Sequence, residues 1–322
     1  MDSALRNKTI FITGGSGFIA SHLIGRYIED NKIIVYDNYT RDSIQFNKET
    51  LGHENLTAVR GDVLDPDHLI EASRGADIIV HCAAIAGIFS VGNSPSTTMK
   101  VNLIGTYNVL EAALKNGIKR IIDFSTSEIY GSFVYRGKET DNAIIGPVGE
   151  RRWIYAVGKL ASEHMVHAYA EEYGLEVTSV RPFNVYGPRQ IGEGAIQQMV
   201  TRALRDEEIT VYNDGLQIRA WCYVSDFVDA LCLAIEQDKG VNQIFNIGNP
   251  LTATTVYSLA QKVVEMVGSK SKIVFKKHPG EEIEVRIPNV EKAKELLGFE
   301  PKVGLEEGLR KTIQWYKEYL GV

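Results

Sequence analysis

Tyr155 and Lys159 stand four residues apart in Tyr155-Ala156-Val157-Gly158-Lys159, a spacing that puts a phenol and an ammonium on one helix face. A cation beside a phenol favours the phenolate, so the pair can serve as a general base near neutral pH. The chain has 15 tyrosines, and Tyr155 is the one with lysine at this spacing. A second polar group, Ser125-Thr126-Ser127-Glu128, follows the strand-like run Arg120-Ile121-Ile122-Asp123-Phe124. Hydroxyls followed by a carboxylate offer hydrogen bonds and a further acid–base group. Glu128 also reads as a side chain that only binds a backbone amide.

A redox partner for such a base is suggested near the N-terminus. There Ile10-Phe11-Ile12-Thr13 breaks into Gly14-Gly15-Ser16-Gly17 and a helix-like segment from Phe18 to Ile28. Gly15, Gly17 and Ala20 fit the G-x-G-x-x-G/A dinucleotide fingerprint between strand and helix. Glycine permits the sharp turn and the approach of phosphate oxygens, and the helix N-terminus offers free N–H groups to a pyrophosphate. A second strand, Lys32 to Tyr36, ends in Asp37, twenty residues beyond Gly17. A carboxylate there accepts bonds from an adenosine ribose and repels a 2′-phosphate, which predicts NAD as cofactor. Arg41, close by in sequence, is the residue that leaves NADP open.

These groups require a scaffold, and the chain alternates strands with helices. Strands are expected at Leu56 to Arg60, Asp77 to His81, Arg120 to Phe124 and Glu176 to Val180. Helices are expected from Asp65, as cap, to about Arg74, over about 97–116, and from near Tyr155 to Tyr173. The fold class is α/β, a doubly wound parallel sheet of the Rossmann type with ligand sites at the strands' carboxyl ends. Beyond Arg181-Pro182-Phe183 the rhythm changes. Helices are expected at Ala195 to Arg205, Asp226 to Glu236, Val256 to Val267, Val290 to Leu297 and Leu305 to Tyr319, with short strands at 209–212, 221–224 and 243–247. The predicted division is a nucleotide-binding domain over 1–183 plus about 217–248, with a smaller interleaved α/β substrate domain over 184–216 and 249–322.

The 322 residues suffice for a large core, and the 44% hydrophobic and 24% charged content is that of a soluble globular chain. A net charge of −6 without a basic stripe argues against nucleic acid as partner. Cys82, Cys222 and Cys232 lie far apart with no C-x-x-C, so neither a disulfide framework nor a metal site is expected. No apolar run reaches membrane-spanning length, and the opening MDSALRNK lacks a signal-peptide core. The expected setting is the cytoplasm.

Taken together, TGGSGFIA (13–20), YDN (36–38), GDV (61–63), HCAAIA (81–86), VNLIGT (101–106), STSEIYG (125–131), YAVGK (155–159) and RPFNVYGP (181–188) resemble the extended short-chain dehydrogenase/reductase superfamily, in its nucleotide-sugar epimerase/dehydratase branch. The resemblance spans essentially the whole chain; Ala20 replaces the third glycine, which the fingerprint permits. It implies an enzyme that uses NAD catalytically on a sugar nucleotide, as a lyase or isomerase of carbohydrate biosynthesis. Tyr155 would take the proton of a sugar C4 hydroxyl as hydride leaves C4, Thr126 would bind that hydroxyl, and Lys159 would bind the nicotinamide ribose and polarise Tyr155. The matching motifs carry the cofactor contacts to Gly14, Gly15, Gly17, Phe18, Ile19, Asp37, Asn38, Asp62, Val63, Ala83, Ala84, Ala86, Asn102, Ser125, Tyr155, Lys159 and Pro182.

The step after oxidation turns on Ser127 and Glu128. Glu128 resembles the carboxylate that takes the C5 proton in 4,6-dehydratases, which implies dehydration or C5 epimerisation of a UDP-hexose or UDP-HexNAc. The same Thr-Ser-Glu occurs in UDP-glucuronate decarboxylases, as do Arg152-Trp153-Ile154-Tyr155 and Arg286-x-Pro288, so decarboxylation is the alternative, with 4-epimerisation behind it. A silent nucleotide-binding regulator is the non-enzyme alternative. Arg219 and Arg286 read as phosphate ligands, because guanidinium forks match a pyrophosphate. Arg286 reads also as the partner of a substrate carboxylate. Asn184 and Arg189 join them on the diphosphate or sugar, and Tyr212 lines the nucleobase. Members of the superfamily often dimerise through a four-helix bundle. Such a homodimer is expected from the two long helices, presenting Val101, Leu110, Ala113, Ala161, Met165 and Ala168. His81 reads as a satisfied turn residue.

Overall fold

The computed structural model describes residues 5–278 and 280–322; residues 1–4, the start of the stretch read as lacking a leader, and Pro279 lie outside them. The apolar runs pair into one seven-stranded sheet, in the order Gln243–Ile247, Glu176–Pro182, Arg120–Phe124, Ile78–His81, Thr9–Thr13, Lys32–Asp37, Leu56–Arg60. Every pairing is parallel. The order reverses between Thr9–Thr13 and Ile78–His81. The loops that follow these two strands therefore part, leaving a crevice at their carboxyl ends.

Alternate side chains send each strand into two cores, as a sheet covered on both faces requires. Ile10 and Ile12 pack with Leu23, Ile24 and Leu231, from helices Phe18–Tyr27 and Val224–Glu236. Phe11 packs on the other face with Leu110, Val166 and Val177, against helices Gly105–Asn116 and Ile154–Tyr173. Asp65 caps helix Pro66–Ala72 as expected, accepting from His68 N at 3.2 Å.

Three features differ from the sequence expectation. The helix foreseen over 97–116 runs from Pro95 to Asn116 but widens into a π-helical turn at Lys100–Ile104. The widened turn carries the buried Asn102, whose amide exchanges two hydrogen bonds with the backbone of Ile85. Leu110 and Ala113, foreseen at a dimer face, lie fully buried under the sheet; the outer faces of the two long helices expose Ile104, Tyr107 and Val157 instead. Val224, foreseen in a strand with Cys222 and Tyr223, begins the helix Val224–Glu236.

A second, four-stranded sheet runs Thr254–Thr255, Ile218–Arg219, Val285–Pro288, Phe133–Gly137. Two of its strands, Phe133–Gly137 and Ile218–Arg219, come from stretches that sequence reasoning gives to the nucleotide-binding part. Ile218–Arg219 is too short to show a pattern, and Phe133–Gly137, largely exposed, shows no apolar alternation. The parallel register sets Arg219 opposite Arg286. Among the described residues no helix is long and apolar enough to cross a membrane, and no cluster of three or more His, Cys, Asp or Glu side chains is placed to hold a metal.

Candidate active site

The glycine-rich turn leaves no room for side chains. A Cβ on Gly14, which has φ +67°, would lie 2.6 Å from Ala83 N, and one on Gly15 would lie 2.9 Å from Ile12 O. Helix Phe18–Tyr27 starts immediately after Gly17, with Phe18 and Ile19 in its first turn. Its first N–H groups face the crevice mouth, the arrangement that suits a pyrophosphate. Asp37 closes the turn from the side: Oδ2 accepts from Ser16 N at 3.0 Å and Oδ1 from Tyr39 N at 2.7 Å. Asn38 Oδ1 accepts from Thr40 N and Asp62 Oδ1 from Leu64 N, so both side chains brace their own loops. Val63 is buried and its carbonyl accepts from Asn108. Arg41 is bound elsewhere. Its Nη2 donates to Ser90 Oγ at 2.8 Å and to Glu193 Oε1 at 2.9 Å.

Across the reversal point, Cys82 to Gly87 form an irregular loop holding Ala83, Ala84 and Ala86, tied down by Thr13, whose hydroxyl accepts from Ala83 N at 3.4 Å, and by Asn102. His81 is satisfied on both nitrogens. Thr106 gives its proton to Asn102 O, so His81 Nε2 donates to Thr106 Oγ1 (2.9 Å) and Nδ1 accepts from Thr13 (2.7 Å). Burial, together with Lys159, lowers its pKa to about 3, which keeps it neutral.

Strand Arg120–Phe124 delivers Ser125 and Thr126 to the crevice. Thr126 caps the single turn Ser127–Tyr130, accepting from Glu128 N at 3.1 Å, and this turn aims Glu128 at the small sheet. Helix Ile154–Tyr173 brings Tyr155 and Lys159 to the same place. The Tyr155 phenol hydrogen-bonds Thr126. Burial raises its pKa; Glu128 and Asp123 push the same way, while Thr126 and Arg286 oppose them. The sequence expectation was a lowering by Lys159. The phenol is raised because desolvation comes first, with Glu128 and Asp123 adding to it. Lys159 Nζ is itself buried with no hydrogen-bond partner, as is Ser125 Oγ. Buried polar groups left unpaired by the protein are what a bound ribose or nicotinamide amide would satisfy.

Glu128 sits between two guanidiniums. Arg152 Nη2 donates to its Oε1 at 2.9 Å and Arg286 Nη1 at 3.4 Å. Burial would raise this carboxyl, but Arg152 and Arg286 outweigh it, and the net shift is downward. Arg286 donates also to Gly131 O at 2.9 Å, and its Nε finds no partner. Burial brings its pKa to about 10. Arg219, beside it in register, donates to Ile283 O at 2.7 Å and Glu282 Oε1 at 3.3 Å; burial and then Arg286 bring it to about 9. Three guanidiniums thus face two carboxylates, an excess of positive charge at the crevice end of the small sheet.

The other foreseen residues lie at varying removes from this group. Tyr212 stacks edge-on with His278 at 5.1 Å, and His278 lies 3.9 Å from Glu282, which links it to Arg219. Asn184 has φ +43° and donates to Ala220 O, just after Arg219. Pro182 ends its strand opposite Ile247. Arg189 goes elsewhere, donating at 2.7 Å to His22 of helix Phe18–Tyr27, and is not seen bonded to the Glu128 group among the described residues. In the sequence Arg152 lies in a shared motif without an assignable role, and Asp123 and Glu282 lie outside any motif. Asp123 was visible as a charge inside an otherwise apolar strand. Nothing in the sequence pairs Arg152 or Glu282 with its partner.

A parallel sheet with a glycine-rich first turn, an acidic end to its second strand and Tyr155 and Lys159 beside Thr126 defines the short-chain dehydrogenase/reductase class, and its crevice fits NAD. A family model described as the NAD dependent epimerase/dehydratase family matches residues 10–248, and the chain belongs to that family. It is therefore an enzyme of nucleotide-sugar chemistry that uses NAD. It is 37% identical over 321 residues to the UDP-N-acetyl-alpha-D-glucosaminuronate decarboxylase of Bacillus cytotoxicus, covering 97% of this chain and 98% of that one. It is 38% identical to UDP-glucuronic acid decarboxylase 5 of Arabidopsis thaliana, over 98% of this chain and 91% of the other. Among solved structures it resembles the UDP-glucose 4-epimerase of Thermotoga maritima, with a TM-score of 0.87 and 34% identity over 97% and 99% of the two chains.

Proposed function

We propose that the chain decarboxylates a UDP-linked hexuronic acid, a glucuronate or its 2-acetamido counterpart, through a transient 4-keto sugar. The observation that carries this reading is the double guanidinium clamp on Glu128, with Arg152 at 2.9 Å and Arg286 at 3.4 Å. A carboxylate whose pKa is held down is a weak base for a C5 proton, whereas surplus guanidinium charge suits a substrate carboxylate. The names of the two decarboxylase relatives support the same choice.

In this reading Gly14, Gly15, Gly17, Asp37, Ser125 and Lys159 hold the dinucleotide. NAD, when bound, supplies a hydride acceptor and donor for the sugar C4 and brings a positive charge to the site. Tyr155 accepts the C4 hydroxyl proton, with Thr126 fixing the hydroxyl's direction. A C4 ketone makes the C6 carboxylate a β-keto acid. The C5–C6 bond then breaks, its electron pair enters a C4–C5 enolate, and CO₂ leaves without any base acting at C5. A proton taken from solvent water adds at C5 and restores the ketone, and Tyr155 returns its proton to the C4 oxygen as the alcohol re-forms. Arg286 orients the departing carboxylate, while Arg219 and Asn184 hold the diphosphate and Tyr212 the base. Dehydration or C5 epimerisation, with Glu128 as base, is the second reading; it rests on the proximity of Glu128 to Tyr155.

Incubation with UDP-glucuronate and UDP-N-acetylglucosaminuronate, followed by mass spectrometry, tests the choice. One of them is expected to lose CO₂, and Tyr155→Phe to remain folded yet inactive. Loss of water from a neutral UDP-hexose, with both uronates untouched, would refute it. The homodimer through the 95–116 and 154–173 helices and the cytoplasmic setting belong to the same proposal. The exposed Ile104, Tyr107 and Val157 supply an apolar face for the first.

A further inference from the structure

Asp123 occupies the fourth position of a strand in which all five residues are buried, and it is itself inaccessible to solvent. Sheet register sets it in a row across four parallel strands, Thr13, His81, Asp123 and Ser179, all buried on one face. Thr13 and His81 satisfy each other, and Ser179 donates to Asp123 Oδ2 at 3.4 Å. The remaining oxygen, Oδ1, has no hydrogen-bond partner, and 3.9 Å away lies Lys159 Nζ, which has none either. An isolated buried charge is very costly, so two unsatisfied ionisable groups this close are stable chiefly as each other's counter-ion. We propose that Asp123 is a positioning residue of the reaction: it is the counter-charge that holds the Lys159 ammonium in place beside Tyr155 and fixes the charge balance of the Tyr155–Lys159 couple.

The other groups around Asp123 leave these two as its effective partners. Helix Ile154–Tyr173 also presents Glu163, but Arg181 of the adjoining strand binds that carboxylate through Nε at 3.1 Å and through Nη2. His167 reaches Asp123 only through Ser179, and its pKa is lowered, chiefly by burial. His81 is neutral, and burial pushes the Cys82 thiol up so that it stays protonated. Burial raises Asp123's own carboxyl and Lys159 draws it back; Asp123 in turn raises Tyr155. Removing the negative charge takes away one of the groups that raise Tyr155, so the phenol releases its proton at lower pH.

The inference rests on Tyr155 and Lys159 being the acid–base couple, and the test needs no substrate, so it stands apart from the choice of reaction. In the NAD-loaded protein, ultraviolet titration of tyrosinate is recorded for wild type minus Tyr155→Phe, and for Asp123→Asn minus its Tyr155→Phe double variant. The Tyr155 signal is expected to move down by about 1–3 pH units in Asp123→Asn, the size of a neighbouring charge's effect, and to stay put in Asp123→Glu. Circular dichroism establishes folding; should the Asn variant fail to fold, Asp123→Ser, which keeps a hydroxyl near Ser179, replaces it. An unmoved titration in a folded uncharged variant overturns the proposal, even if stability falls, because packing alone does not displace a titration.

Discussion

Arg286→Met is the perturbation that separates the two roles open to that guanidinium. At an effective dielectric of about 20, unit charges 3.4 Å apart attract by roughly 5 kcal/mol, and the 2.9 Å pair of Arg152 with Glu128 by roughly 6 kcal/mol. Desolvation cancels much of this, and cutting one partner of a buried pair costs about 3–5 kcal/mol. Glu128 keeps Arg152 in the variant, so the loss of stability belongs at the lower end of that range and the fold survives. A substrate carboxylate deprived of its guanidinium loses about 2–5 kcal/mol, a fall in kcat/KM of roughly 30- to several-thousand-fold. The assay is release of labelled CO₂ from a carboxyl-labelled UDP-hexuronate, with calorimetric binding of UDP-glucose alongside. If Arg286 recognises the carboxylate, turnover collapses while UDP-glucose binding is nearly unchanged. A matching fall in UDP-glucose affinity would make Arg286 a diphosphate ligand and remove the main support for decarboxylation.

Two further outcomes follow from contacts away from the chemistry. Glu193 and Ser90 hold Arg41 away from Asp37. Glu193→Gln weakens that hold and is expected to raise the NADP-to-NAD affinity ratio about tenfold, roughly 1.4 kcal/mol, in direct binding titrations; an unchanged ratio means Arg41 does not reach a 2′-phosphate. Light scattering at micromolar concentration is expected to give the mass of two chains, and Ile104→Asp with Tyr107→Asp to halve it. A monomeric wild type contradicts the helix-bundle dimer.

The large sheet was legible because its central strands, such as Thr9–Thr13 and Ile78–His81, are near-continuous β-branched runs between turn signals, and burial on both faces imposes that composition. Thr126, Tyr155 and Lys159 were legible because a strand end and a helix face fix their relation locally. The small sheet was not: strands of two residues, such as Ile218–Arg219, carry no period, and their pairing is decided by distant segments. For the same reason Glu128 and Arg286 were each visible in the sequence but not their pairing, 158 positions apart. The π-helical turn at Lys100–Ile104 had no sequence signal to announce it. It follows from Asn102 reaching across to Ile85, a tertiary demand on an ordinary helical sequence.

The distribution of the site over two sheets bears on how one scaffold supports several reactions. Thr126, Tyr155 and Lys159, proposed to serve the C4 redox step, hang from the large sheet and its flanking helix, where packing on both faces leaves little freedom to vary. Arg219 and Arg286 come from a small sheet of two- to five-residue strands, and Arg152 from the turn just ahead of helix Ile154–Tyr173. Replacing an arginine there need not disturb the redox half. It would alter whether Glu128 is a clamped anion or a free base, and hence whether the 4-keto sugar meets a cation at C6 or a proton acceptor at C5. On the proposed mechanism the fate of the ketone is set by charges on the small sheet and the helix entrance, while its formation is set by the large one. Glu128 is the residue through which the two are coupled, since it acts electrostatically on Tyr155 while bonded to Arg152 and Arg286.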